Sequence, residues 1–147
     1  MNRPLTETEH EDTLVRLCVL WDIDQRYWFP LRANETSRND IIAFCYPFFE
    51  RYVGDSGVRD ILQARDIDLL IETREGGECT WIPTTDVEFN YSGLEGYWTT
   101  REFDWVIYAS HESSITFAGQ WLLEELKANW PNWRDCIYRS PFEEDYA

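Results

Sequence analysis

DWVIYASHESSITFA, residues 104–118, decides the fold. Two apolar runs rich in β-branched and aromatic residues, Asp104 to Ser110 and Ser114 to Ala118, flank the polar trio His111, Glu112 and Ser113. Runs of this length with no polar alternation read as strands buried on both faces, and three polar residues suffice for the turn between them. The stretch is therefore a central β-hairpin.

Working outward, the pattern stays rich in strands. Ile67, Leu69 and Ile71 alternate with Asp68, Leu70 and Glu72, which predicts a strand to about Arg74. Gly76-Gly77 is a turn signal, and a second strand over Glu78–Ile82 completes a hairpin. Val87, Phe89 and Tyr91 alternate with Glu88 and Asn90, which predicts another strand, with a loop from Ser92 to Gly96. Val58–Leu62 fits a helical turn or a strand. Downstream of Gly119, the segment QWLLEELKANW places Trp121, Leu122, Leu126 and Trp130 on one helical stripe, and Pro131 ends it. Residues 140–147 read as a loose acidic tail.

The N-terminal half is less regular. Residues 1–12 carry four acids against Arg3 and read as a loose, solvated acidic arm. Thr13–Ile23 (TLVRLCVLWDI) reads as a strand. Asp24–Asn34, with Tyr27, Trp28, Phe29 and Pro30, reads as a loop. A helix is expected over about 37–53, because Ser37 and Asp40 resemble a capping box and Ile41, Phe44, Cys45, Phe48, Phe49 and Tyr52 recur at three- and four-residue spacing. Gly54 is its stop. Pro47 conflicts with a continuous helix and requires a kink or a split. The order of elements has no βαβ rhythm. The expectation is one α+β domain over 1–147, a mostly antiparallel sheet packed by two main helices, about 37–53 and 119–130.

The 147 residues include 28 Asp plus Glu against 13 Lys plus Arg, a net charge of −15, together with 16% aromatic residues. So many rings exclude a disordered chain. So few and scattered cations speak against direct nucleic-acid or anionic-lipid binding. No run of about 20 apolar residues predicts a membrane span. The N-terminus lacks the apolar core of a secretory signal, so a cytoplasmic location is the expectation. Cys18, Cys45, Cys79 and Cys136 are far apart, form no C-x-x-C pair, and read as free thiols of a reducing compartment.

Motifs for chemistry are sparse. Asp22-Ile-Asp24 and Asp66-Ile-Asp68 would place two carboxylates on one face of a strand, as cation chelation requires, but no third ligand is near in sequence. Ser110-His111-Glu112-Ser113 cannot relay a proton among its own members, because adjacent strand residues point to opposite faces. An enzyme at His111 would need a carboxylate or thiol from another segment. No phosphate-binding glycine loop and no nucleophile elbow occurs, and no cofactor is expected. The informative feature is regional charge. Between Glu78 and Glu125 there are nine acids and one base, Arg101, with Tyr91, Tyr97 and Trp98 interleaved. Acids steer a basic protein surface and rings anchor it. The expected function is a non-enzymatic, acidic protein-binding module. It would be an inhibitor, immunity-type protein or DNA mimic that binds a basic partner such as a nuclease toxin or a DNA-binding protein. The expected interface is Asp86, Glu88, Glu95, Tyr97, Trp98 and Glu102. The alternatives are an assembly component that uses exposed rings of Trp28, Trp130 or Trp133, and a small enzyme around His111.

Overall fold

Alternate residues along each inner strand point into two different cores. The computed structural model describes residues 2–23, 28, 38–76 and 78–139. Seven strands form one antiparallel sheet: β1 (Arg3–Pro4), β2 (Ile41–Cys45), β3 (Leu69–Arg74), β4 (Glu78–Pro83), β5 (Gly96–Thr99), β6 (Val106–Ala109) and β7 (Ser114–Ala118). Their order is β1-β4-β3-β5-β6-β7-β2. Trp98, Ile107 and Phe117 face one side, where Phe49 of α2 (Tyr46–Tyr52), Val58 and Leu62 of α3 (Gly54–Gln63) and Leu122 and Leu126 of α4 (Gln120–Ala128) cover them. Tyr97, Val106 and Tyr108 face the other side, under Leu17 and Trp21 of α1 (Glu7–Trp21). Each large apolar side chain taken out of water contributes roughly 1.5–3 kcal/mol. The α+β architecture, the antiparallel sheet and the 104–118 hairpin thus match the sequence reading, and every residue of β6 and β7 is buried.

Three expectations are corrected. Thr13–Ile23 is not a strand, and the stretch before it is not a loose arm: Arg3–Pro4 pairs with β4, and α1 runs from Glu7. Thr6 and Glu9 form a reciprocal capping box at its start. The helix buries Thr13, Leu17 and Trp21 at four-residue spacing. The 37–53 helix is instead β2 followed directly by α2, with Pro47 in the first turn of α2, where a missing N–H costs nothing. Only Val53 separates α2 from α3, and Gly54, at φ 69°, is the first residue of α3, so the chain continues helical. Finally, 87–91 is not a strand. Val87 and Phe89 are buried, but side chains of α3 serve their backbones: Arg59 donates to the Val87 carbonyl, and Asp55 accepts from Phe89 N at 3.0 Å. Of the 24–34 loop only Trp28 is described, buried and donating to the Trp21 carbonyl at 2.9 Å. The rest of that loop and the 140–147 tail lie outside the described residues.

Both edges of the sheet are managed. β1 is two residues long and contains a proline, which suits an edge. The outer edge of β2 is met by the C-terminal segment through a Phe44–Ile137 bridge. Among the described residues no helix is long and apolar enough to cross a membrane.

Candidate partner-binding site

The expected interface residues do not form one surface. Tyr97 stacks on Tyr108 inside the α1-side core, with centroids 4.6 Å apart. Trp98 lies in the opposite core, edge-on to Phe89, and its Nε1 donates to Glu72 at 2.8 Å. Strand alternation makes this outcome unavoidable: β5 is a central strand, so both of its faces are interior. Glu95 is 1% exposed. These three residues are therefore removed from the interface. Asp86 and Glu88 are exposed on the β4–β5 connection, whereas Glu102 is exposed on the β5–β6 turn. Trp28 and Trp130 are core residues, and Trp133 is half-buried under Lys127 and Arg134, which removes the exposed rings of the assembly alternative.

Glu95 belongs to a closed network at one end of the sheet. Its carboxylate accepts the Tyr108 hydroxyl at 2.6 Å, the His111 backbone N–H at 3.0 Å and the His111 Nδ1–H at 2.6 Å. Burial first, then Tyr97 and Glu95, push the Tyr108 phenol far above its ordinary range, so it remains a donor. His111 Nε2 lies 3.7 Å from Glu112, whose other oxygen accepts from Tyr138. A carboxylate from another segment thus reaches His111. Among the described residues no group of three His, Cys, Asp or Glu side chains could hold a metal ion.

Glu88 has different company. Burial raises the Asp55 carboxyl above its ordinary value; the Phe89 N–H and Arg59 oppose this, and Glu88 and Glu50 reinforce it. Burial, then Asp55, Glu50 and Glu88, push the Tyr46 phenol up to about 12. Three carboxylates are therefore crowded around one half-buried ring.

Glu102 lines a groove of about 770 Å³ at the end of the sheet opposite His111. Three segments build its walls. The α3–β3 connection supplies Arg65, Asp66 and Asp68, the β5–β6 turn supplies Arg101, Glu102 and Asp104, and α4 supplies Trp121; Arg3 and Trp81 close the far side. Each wall is held by hydrogen bonds. Thr84 grips the first through the carbonyls of Ile67 and Asp68, at 2.8 and 2.9 Å. In the second, Thr99 Oγ1 donates to Trp105 O at 2.6 Å, and Trp21 Nε1 donates to Phe103 O at 2.8 Å. Gly119 (φ 115°) brings α4 against this turn: a Cβ there would lie 2.7 Å from the Asp104 carbonyl. Trp121 Nε1 consequently reaches Asp104 Oδ2 at 3.0 Å.

Carboxylates outnumber guanidiniums four to three in the lining. The arginines are occupied: Arg65 lies 4.1 Å from the Trp121 centroid, and Arg3 and Arg101 lie 5.5 and 5.1 Å from that of Trp81. Arg101 and Arg3 also pair with Glu9. The Thr6 backbone N–H and hydroxyl, together with Arg101, hold the Glu9 carboxyl below its usual range. Acid around amphipathic rings was the expected signature; its location was not. Asp66, Asp68, Asp104, Trp81 and Trp121 were missed as members of one site. The spacing of Asp66 and Asp68 is the available signal, and by itself it fits a solvated strand face.

The fold and groove define a class: an antiparallel α+β sheet with helices on both faces and a charged groove lined by two tryptophans at one end. No protein-family model matches the chain, and no curated protein and no solved structure matches it.

Proposed function

We propose that the protein is a binding module for a basic protein surface, acting as an inhibitor or immunity-type partner of a cationic protein such as a nuclease toxin or a DNA-binding protein. The groove carries this reading: Asp66 and Asp68 from one connection and Glu102 and Asp104 from another converge there around Trp81 and Trp121. Such a lining suits arginine and lysine side chains, because carboxylates pair with the cation and indole faces accept it. The chain's own arginines already lie over both indoles, so an incoming cation would displace them. The net charge of −15 would speed encounter with a cationic partner.

The test uses a nona-arginine peptide and two charge-matched quadruple variants. One carries Asp66→Asn, Asp68→Asn, Glu102→Gln and Asp104→Asn. The other carries Glu7→Gln, Glu11→Gln, Asp60→Asn and Glu78→Gln, all exposed and outside the groove. Affinity measured by tryptophan fluorescence falls at least tenfold in the first and less than threefold in the second. Equal losses would mean that only net charge matters, and the groove would lose its role.

A further inference from the structure

We propose that Cys45 and Cys136 are a redox-responsive thiol pair that closes to a disulfide on contact with a small-molecule disulfide such as oxidised glutathione. The argument is one of register. Phe44 and Ile137 form an antiparallel bridge, and Tyr138 N donates to Ala43 O at 2.8 Å. Extending that register by one step pairs Cys45 with Cys136, the last residue of the 3-10 turn that leads into the bridge. Residues directly opposite in antiparallel pairs have Cα atoms about 4.5–5.5 Å apart, within the roughly 4.4–6.8 Å that a disulfide spans. The Cys45 thiol leans toward the C-terminal segment, with Sγ 3.9 Å from the Ile137 carbonyl oxygen. Both cysteines are free thiols.

Their environments divide the labour. Cys45 is half-buried at the end of β2, so it meets the oxidant first, whereas Cys136 is buried at the end of a 3-10 turn over Trp133–Cys136. Burial pushes the Cys136 thiol up, Trp130 opposes this, and Asp135 and Cys45 add to it. Cys45 sulfur, as thiolate, attacks one sulfur of oxidised glutathione, forming a mixed disulfide and releasing one glutathione. Cys136, deprotonated in turn, attacks the Cys45 sulfur, forming the Cys45–Cys136 bond and releasing the second glutathione. Two protein thiols are oxidised, one glutathione disulfide is reduced, and the two thiol protons end on the two glutathiones. The product fastens the 133–139 segment to the outer edge of β2, which it already meets. The other cysteines have no such geometry: Cys18 is exposed on α1, and Cys79 is buried against Thr73 Oγ1 at 3.3 Å.

The test treats the native protein with excess oxidised glutathione, alkylates remaining thiols and digests with trypsin without reductant. Peptides 39–51 and 135–139 carry the two cysteines. The expected product is their cross-link, with no glutathione on either. In Cys136→Ser, Cys45 keeps one glutathione; in Cys45→Ser, Cys136 stays unmodified. A native protein in which Cys45 carries glutathione without the cross-link, or in which both thiols alkylate as before, overturns the pairing. The native digest decides the matter even where a variant folds poorly.

Discussion

Glu95 and Glu102 stand at the two ends of one four-residue strand, β5, and meet opposite fates. Glu95 is sealed among three donors, from Tyr108 and His111. Glu102 is exposed on the wall of a groove. Both were expected to touch a partner. The difference teaches that a carboxylate count along a chain says little about display. What decides is whether the neighbouring strand is central, which buries the group and demands partners for it, or whether the chain has already turned out of the sheet.

The largest effect expected from this contrast is on stability at Glu95. Glu95→Ala leaves a buried phenol and a backbone N–H without their acceptor, so it should cost about 3 kcal/mol in urea unfolding. A loss under 1 kcal/mol would break the comparison, because Glu95 would then behave as a surface group. The crowded carboxylates around Tyr46 form an intermediate case. Its phenol is raised from 10.0 to about 12 in the folded state, so folding favours the neutral form. That share of stability is intact below pH 10 and is lost as pH rises through about 12. Wild-type stability should fall more steeply than that of Tyr46→Phe across this window; parallel curves would show that the ring is not held neutral by its surroundings. The smallest effect is at Glu102. Glu102→Gln should change unfolding stability by no more than about 0.5 kcal/mol, since the group is exposed and outside any buried pair. A larger cost would make the groove wall structural rather than available.

The sequence carried more of the fold than of the site. β6, β7 and the β3–β4 hairpin were legible because uninterrupted or alternating apolar runs ended at polar trios or paired glycines. α4 was legible from its stripe and Pro131. α1 was not, because Thr13, Val15 and Val19 mimic a strand; the Thr6–Glu9 capping box was the signal that named it. At 37–53, helical spacing was counted across a strand–helix boundary that Pro47 marks. Val87–Tyr91 alternates like a strand, yet Arg59 and Asp55 satisfy backbone groups that a ladder would otherwise need. The groove was illegible for a different reason. Its two acidic connections lie more than 30 positions apart in the chain, and only the pairing of β3 with β5 brings Asp68 near Glu102.

The central claim is that cationic side chains enter the groove rather than meet the acidic exterior at large. The chain has eight tryptophans, so a ¹⁵N spectrum offers an indole signal for each as nona-arginine is titrated in. The indole signals of Trp81 and Trp121 should shift first and saturate together, while those of the core residues Trp98, Trp105 and Trp130 stay in place. Stationary Trp81 and Trp121 signals, with backbone shifts spread over α1 and α3 instead, would contradict the account.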